Sequence, residues 1–259
     1  METVYVNTLE NATLHIAKGN SKIGKGIYAF STLCGNEEHT LMLRGQQLSN
    51  VVGTCSHHCE TCFNGCYAAR AAVRHHNAVI QAWADNTLLL RSGKAYKCIV
   101  DYIKLKQKTK SPIKVFRINV SGEILSEKDI IMWNKIALKF PEIKFGVYTK
   151  NFSAVEKFMN AYKTTAQNFA INISAWHGIE KEIIEKYPNQ FNIFEYDDSN
   201  LKSNNLTEDE KTRLASLTHC PAVDIHGHHT TDSEGNPITC DRCLRCYNKT
   251  GKRTAVYAH

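Results

Sequence analysis

Eight of the ten cysteines in this 259-residue chain fall into two groups. The first group lies within twelve residues and comprises Cys55, Cys59, Cys62 and Cys66. The second combines a Cys-x2-Cys-x2-Cys run with a distant Cys-Pro, and it comprises Cys220, Cys240, Cys243 and Cys246. Thiols three or four residues apart on one turning loop can direct their sulfurs at a common centre, so the sequence predicts metal sites.

The spacing Cys55-x3-Cys59-x2-Cys62 suits an iron–sulfur cubane. Three thiolates so spaced can bind three irons and leave the fourth iron without a protein ligand. This spacing resembles that of the radical S-adenosylmethionine (radical SAM) superfamily, in which the cofactor chelates the open iron. The resemblance implies a [4Fe-4S] cluster, bound S-adenosylmethionine and an external electron donor. Cys66 is a fourth nearby thiol and could close the cluster instead.

A predicted buried strand is followed by a turn that contains Gly122 and Glu123. This turn resembles the Gly-Gly-Glu turn by which the radical SAM superfamily holds the cofactor's amino group. Glycine lets the backbone approach closely, and a carboxylate pairs with an ammonium group. At the ends of later strands, Lys150 could pair with the cofactor's carboxylate, and Asn172 or Ser174 could hydrogen-bond its ribose. These five residues form the predicted cofactor site.

The second cysteine group is similar to ferredoxin-type ligation, because short successive spacings can surround one cubane. Zinc is the alternative, since four thiolates bind zinc tetrahedrally. Three cysteines at successive x2 spacings exceed what a zinc ribbon needs, which favours a second [4Fe-4S] cluster. The remaining cysteines, Cys34 and Cys98, are interpreted as buried small hydrophobic residues.

Strands and helices alternate through the middle of the chain. Apolar runs predict strands at 113–120, 143–149, 169–174 and 191–196, and helical periodicity predicts the segments 126–139, 153–162 and 178–187 between them. Earlier helices are predicted at 67–83 and 95–105. Repeated β-α units indicate a parallel sheet covered by helices. With the superfamily resemblance, this implies an α/β fold, a partial (β/α) barrel of radical SAM type.

Three segments follow from this pattern. Short strands at 13–17, 26–30 and 40–44 predict an N-terminal β extension over residues 1–50. The barrel core with its cysteine-rich loop would occupy residues 51–200. A C-terminal cysteine-rich, cluster-binding segment would occupy residues 201–259.

The composition and the pattern of apolar residues indicate in which cellular compartment the protein is located. The chain is 42% hydrophobic and 22% charged, which is typical of a globular protein with a substantial core. Its first 14 residues lack a signal-peptide pattern, and no run approaches the ~18 apolar residues of a membrane span. We therefore expect a cytoplasmic protein with no membrane partner. In that reducing compartment, clustered cysteines favour metal ligands over disulfides.

Considered as a whole, the sequence from Asn20 to Cys246 resembles the phage "gene product 88" family. In that family, the positions that match Cys55, Cys62 and Cys66 recur with a C-terminal Cys-x2-Cys-x2-Cys, whereas Cys59 is an addition in this chain. The resemblance implies a protein of phage or mobile-element origin.

Three functions remain open. The first is a radical-SAM-like protein that cleaves S-adenosylmethionine reductively. The second is a non-catalytic iron–sulfur protein, redox-sensing or structural, whose clusters are closed by four cysteines each. The third is a zinc-stabilised nucleic-acid-binding module, suggested by the net charge of +7 and by basic residues near the last cysteines: Arg242, Arg245, Lys249, Lys252 and Arg253.

Overall fold

The computed structural model of the protein describes residues 3–19, 23–58, 62, 65–175, 181–197, 207–209, 212, 217–224, 226 and 228–257. Its strands are β1 (Thr3–Tyr5), β2 (Ile16–Lys18), β3 (Ile27–Phe30), β4 (Met42–Leu43), β5 (Gln46–Ser49), β6 (Val115–Ile118), β7 (Lys144–Thr149), β8 (Phe169–Ala175), β9 (Asn192–Asp197) and β10 (Arg253–Tyr257). Its α-helices are α1 (Tyr67–Arg74), α2 (His76–Arg91), α3 (Ala95–Gln107), α4 (Glu127–Lys139), α5 (Phe152–Tyr162), α6 (Lys181–Lys186) and α7 (Cys240–Cys243). A 3₁₀ helix spans Arg245–Tyr247.

The main sheet is mostly parallel. Its strand order is β10-β9-β8-β7-β6-β3-β2, and only the β2–β3 pair is antiparallel among these described strands. From β3 to β10 the spatial order follows the chain order, so every crossover advances in the same direction. Because parallel crossovers are right-handed, the helices that connect the strands from β3 to β9 pack on one face. The predicted α/β class with a parallel sheet is confirmed, and closure into a partial barrel stays a prediction.

Aromatic packing fills the space between the sheet and these helices. Trp133 of α4 is 1% exposed, and its ring centroid lies 5.5 Å from that of Phe30 and 5.7 Å from that of Phe116. Phe116 in turn lies 5.7 Å from Phe145 on the next strand. Neighbouring strands are therefore joined to α4 through a continuous layer of buried rings.

The C-terminal cysteine segment covers part of the opposite face of the sheet. Tyr247 packs with Ile27 and Val115 in a separate small apolar cluster. A Cβ atom added at Gly146 on β7 would lie only 2.7 Å from the Tyr247 ring, so a glycine is required for this close contact. The amide of Asn172 on β8 also donates to a carbonyl of the segment, at 2.9 Å.

A smaller sheet stands beside the cysteine loop. β1 pairs in parallel with β5, which pairs antiparallel with β4. Its Leu48 packs with Ala72 of α1 and Ile80 of α2 in a second apolar cluster. The loop that carries the first cysteine group therefore runs next to a core of its own.

Several local predictions need correction. The single helix predicted over 67–83 is wrong, because His75 leaves the helical region with ψ of 35° and separates α1 from α2. The strands β1, β5 and β10 were not predicted. The division of the chain at residues 50 and 200 stays a prediction, although β3 and β10 from the flanking segments pair into the main sheet. Within the described part of the chain, no helix combines the length and hydropathy needed to cross a membrane.

Replacing Trp133 with alanine should destabilise the fold by about 3–5 kcal/mol, because a large cavity would open between β3, β6 and α4. Urea unfolding measures this loss. The matched control is Leu138→Ala on the same helix, where the leucine is 64% exposed and a change within about 0.5 kcal/mol is expected. Similar losses for both variants would contradict this account of the core.

Candidate metal centres

The first centre lies at the carboxyl ends of neighbouring parallel strands. The loops that follow β3 and β6 are joined by two backbone hydrogen bonds. Thr32 N–H donates to Ser121 O at 3.1 Å, and Asn119 N–H donates to Phe30 O at 2.8 Å. Because parallel strands end at one edge of the sheet, chemistry-bearing loops gather there.

The Gly122 turn is fixed against the segment that leads into the cysteine loop. Gly122 has a φ of +81°, and a Cβ atom there would lie 1.9 Å from Thr32 Oγ1 and 2.6 Å from Thr54 Oγ1. Thr54 Oγ1 accepts a hydrogen bond from Glu123 N–H at 2.8 Å. Both the backbone conformation and the close approach therefore require glycine. The residue after Thr54 is Cys55.

Glu123 is a buried carboxylate beside this thiol group. One of its oxygens accepts from Ile124 N–H at 2.7 Å, and the other accepts from Lys150 N–H at 2.8 Å. Burial raises the pKa of Glu123, and these hydrogen bonds oppose the rise. Burial, together with the charge of Glu123, raises the pKa of Cys55 to about 12. Glu123 and Cys55 are thus close enough to interact electrostatically.

The first thiol group contains a member that the spacing did not reveal. Cys34 lies in the apolar cluster against which Cys55 and Cys66 pack, and it is close enough to interact electrostatically with both of them. Cys55 also interacts with Cys66 and Cys62. Cys66 is also the N-cap of α1, where its sulfur accepts from a backbone N–H at 3.4 Å. The neighbouring Cys34 thiol lowers the pKa of Cys66 to about 6; burial opposes this shift, and N–H groups of the helix support it. Cys59 lies outside the described residues.

The second thiol group surrounds one small cavity. Its volume is about 20 Å³, and its lining includes Cys220, Cys240, Cys243 and Cys246. Each of these sulfurs interacts electrostatically with the other three. Burial raises the pKa of Cys240 to about 11, and the neighbouring thiols add to the rise. The four cysteines predicted from the sequence are therefore gathered at one place.

Short turns bring these four residues together. Cys240 and Cys243 lie on α7, and Leu244 has a φ of 55° that reverses the chain into the 3₁₀ helix carrying Cys246. Cys220 is attached to the far edge of the sheet, where its N–H donates to Ala255 O of β10 at 2.8 Å. The second thiol group thus joins two segments that are distant in the sequence, and the sheet holds them together.

A tyrosine and an arginine lie against the second group. Burial raises the pKa of Cys246, and the nearby Tyr148 hydroxyl opposes this rise. The Arg117 guanidinium lies 5.0 Å from the centre of the Tyr148 ring, and its charge lowers the pKa of Cys240. Hydrogen bonds and positive charges of this kind stabilise thiolates that bind metals.

The donor chemistry of both groups is that of a soft-metal site. Sets of four thiolates bind zinc or iron–sulfur clusters. Among the residues that the structure describes, no three Cys, His, Asp or Glu side chains are arranged to hold a metal ion. Metal binding would therefore need the thiols to move closer together, or a cluster of several metal atoms to bridge them.

The predicted cofactor residues divide between the two groups. Gly122, Glu123 and Lys150 lie at the first group, where the Lys150 charge also lowers the pKa of Cys66. Asn172 instead donates to Cys246 O and Val147 O, and it thereby holds the second group against the sheet. Ser174 is buried near the carboxyl end of β8. Their roles toward a cofactor stay predictions.

The position of Cys34 beside the first thiol group was not predicted from the sequence. Its predicted burial is confirmed at 3% exposure, but its contact with Cys66 was not foreseen. The available signal was its position, because Cys34 follows a strand that ends at the same edge as β6 and β7. Cys98 packs against the helix-side core as a small hydrophobic residue would, but it is half-buried and not buried as predicted.

The fold and the two thiol groups define a mixed α/β protein with two cysteine-rich candidate metal centres. Over residues 8–249 the chain matches the family described as Gene product 88. The match covers most of the chain, so the protein belongs to the gene product 88 family, a family of phage proteins. No curated protein and no solved structure matches the chain.

Replacing Gly122 with alanine should cost more stability than replacing Gly45, although both glycines have a φ of +81°. Alanine at Gly45 meets no atom within 4 Å, so only the backbone cost of about 1–2 kcal/mol is expected. At Gly122 the new methyl group would also overlap the Thr32 hydroxyl. Urea unfolding of both variants measures the difference, and equal losses would show that the Gly122 turn is not tightly packed.

Proposed function

We propose that this protein is an iron–sulfur protein of radical SAM type, with a [4Fe-4S] cluster at each thiol group and a site for S-adenosylmethionine at the first. The observation that carries the proposal is the position of Glu123 and Lys150 next to the first thiol group. A carboxylate and an ammonium side by side complement the two charged ends of an amino acid.

The order of elements supports the radical SAM scaffold. The strands β3 and β6 to β10 are parallel and follow one another in sequence, as the wall of a (β/α) barrel does. The cysteine loop follows the first of these strands, and the Gly122-Glu123 turn follows the second. The first thiol group therefore lies where the fold gathers reactive loops.

The residues of the chain would act mainly by binding and orientation. Glu123 already accepts two backbone hydrogen bonds and lies near the Thr149 hydroxyl, and a remaining lone pair could accept from the cofactor's ammonium. Burial raises the pKa of Glu123 and the charge of Lys150 opposes this rise, so a cofactor ammonium would add to the stabilisation of the carboxylate. A bound cluster and S-adenosylmethionine would together supply the reductive cleavage of a sulfonium bond, with electrons from an external donor.

A second candidate is the non-catalytic iron–sulfur protein. It is favoured by the number of thiols at the first group, because Cys34, Cys55, Cys62 and Cys66 would suffice to close a cluster. The two candidates differ in whether one iron remains free for a cofactor.

The nucleic-acid candidate has less support. Of the basic residues near the last cysteines, Arg242 pairs with Asp232 at 2.9 Å, and Arg253 pairs with the buried Glu195. Lys249 donates to Thr164 Oγ1 at 2.9 Å. Side chains engaged within the protein are less available to phosphate groups.

Anaerobic purification followed by iron, sulfide and zinc analysis tests the iron–sulfur proposal. Two cubanes would give about eight irons and eight sulfides per chain. Cys243→Ser should remove about half of the iron, because it takes one ligand from the second group, whereas Cys98→Ser should remove none. Stoichiometric zinc without iron would rule out the proposal.

Dithionite-reduced protein should form 5′-deoxyadenosine from S-adenosylmethionine. Glu123→Gln should weaken cofactor binding by about tenfold to a hundredfold, the effect of removing a charged hydrogen bond of ~1.5–3 kcal/mol. Iron content should remain unchanged in this variant. Absence of product from iron-replete protein would favour the second candidate, and loss of iron in Glu123→Gln would show that the carboxylate is structural.

A further inference from the structure

Three buried polar atoms on one segment of the chain have no hydrogen-bond partner. Among the residues that the structure describes, they are Arg117 Nε, Asn119 Oδ1 and Ser121 Oγ, and they occur at every second residue where β6 ends and its loop begins. Buried polar groups are nearly always hydrogen-bonded, and an unpaired one destabilises a fold. A row of three therefore indicates partners that the chain itself does not supply.

Backbone hydrogen bonds fix the segment that carries this row. β6 lies between β3 and β7 in the main sheet and pairs in parallel with both. Beyond the end of β6, Asn119 N–H donates to Phe30 O at 2.8 Å, and Ser121 O accepts from Thr32 N–H at 3.1 Å. The sheet therefore sets the positions of the three side chains, and no metal is needed for this.

The charge of Arg117 has no carboxylate partner in the described part of the chain, because none of the ion pairs there includes this residue. Its guanidinium lies 5.0 Å from the centre of the Tyr148 ring and interacts electrostatically with Cys240. Although Nε is buried, the residue as a whole is partly exposed, so a solute can reach it. A guanidinium without a paired anion is suited to bind a carboxylate or a phosphate group.

The other two groups of the row require more than an anion. Asn119 is 7% exposed and Ser121 is 2% exposed. An amide oxygen can only accept a hydrogen bond, whereas a hydroxyl can accept or donate one. Ser121 is close enough to Cys34 to affect its pKa, but its hydroxyl makes no hydrogen bond. A molecule that satisfies the whole row must therefore carry an N–H or O–H donor in addition to an oxyanion.

We propose that Arg117, Asn119 and Ser121 form a binding site for a small organic molecule with a carboxylate or phosphate group at one end and hydroxyl or amino donors further along. Residues two apart on an extended chain are separated by about 7 Å, which sets the spacing between the oxyanion and the first donor. The inference goes beyond the proposed function and does not rest on it, because the three side chains need neither a cluster nor S-adenosylmethionine to bind such a molecule.

Isothermal titration calorimetry on the full-length protein tests this site with matched probes. Gluconate carries a carboxylate and a chain of hydroxyls, and glucose 6-phosphate carries a phosphate and hydroxyls. Hexanoate and inorganic phosphate carry the corresponding oxyanion without these donors. At least one of the first two probes should bind, and its partner without donors should bind about tenfold more weakly or less. The probe that binds shows whether the site takes a carboxylate or a phosphate.

Three variants should weaken this binding. Arg117→Lys keeps the charge but loses the planar group, and a loss of about tenfold to a hundredfold in affinity is expected for a charged hydrogen bond. Asn119→Gly and Ser121→Ala should each lose about twofold to tenfold, the effect of a neutral hydrogen bond. Glycine suits position 119 because Asn119 has a φ of 55°.

The matched control is Ser49→Ala. Ser49 is also buried, at 3% exposure, but its hydroxyl oxygen accepts from Val51 N–H at 3.0 Å. This variant should bind the probe as the parent protein does and unfold at a lower urea concentration. Ser121→Ala removes an unpaired hydroxyl instead, so its unfolding midpoint without ligand should be unchanged or higher.

Three results would overturn the inference. Failure of the parent protein to bind either gluconate or glucose 6-phosphate would leave ordered water as the partner of these atoms. Equal affinity for the probes with and without donors would show that the row does not recognise a donor. Unchanged affinity in both Asn119→Gly and Ser121→Ala would place the bound molecule elsewhere. None of these measurements depends on iron content or on 5′-deoxyadenosine formation, so failure here is distinguishable from failure of the proposed function.

Discussion

The one-directional winding of the main sheet is the constraint on which the rest of the structure depends. Because the parallel crossovers from β3 to β9 advance the same way, their helices cover one face and leave the other to be filled by the connection between β9 and β10. The C-terminal cysteine segment packs on that face, with Tyr247 against Gly146 and with Asn192 donating to Asn248 O at 2.8 Å. The second thiol group is therefore fixed by the strands themselves, and its geometry is tied to the integrity of the sheet.

Much of the fold could be predicted from the sequence, because buried parallel strands are nearly continuous apolar runs and covering helices have a 3.6-residue period. The strands at 144–149 and 169–175 and the helix at 127–139 match their predictions closely. β10 was missed because a five-residue strand with charged and polar residues is recognisable only beside its partner, which lies far away in sequence. The break at His75 was missed because helix propensity continues across it.

Only part of the candidate site could be predicted from the sequence. Spacing reveals cysteines that share a loop, so Cys240, Cys243 and Cys246 could be grouped without a structure. It cannot reveal Cys34, which reaches Cys66 only because β3 ends at the edge where the cysteine loop begins. The spacing also could not show that the amide of Asn172, predicted to hold a cofactor, hydrogen-bonds the backbone of the chain's own C-terminal segment. Its role toward a cofactor stays a prediction.

Arg117 links the two thiol groups electrostatically. Its charge acts on Cys240 in the second group and on Tyr67, which directly follows Cys66 in the first. Clusters ligated by thiolates carry net negative charge, and two of them near a common sheet would repel each other in a medium of low dielectric constant. If both clusters are present, the Arg117 guanidinium, which lies over the Tyr148 ring, would offset part of that charge from a fixed position. Arginine suits this place better than lysine, because its planar group remains protonated when buried and packs against aromatic rings.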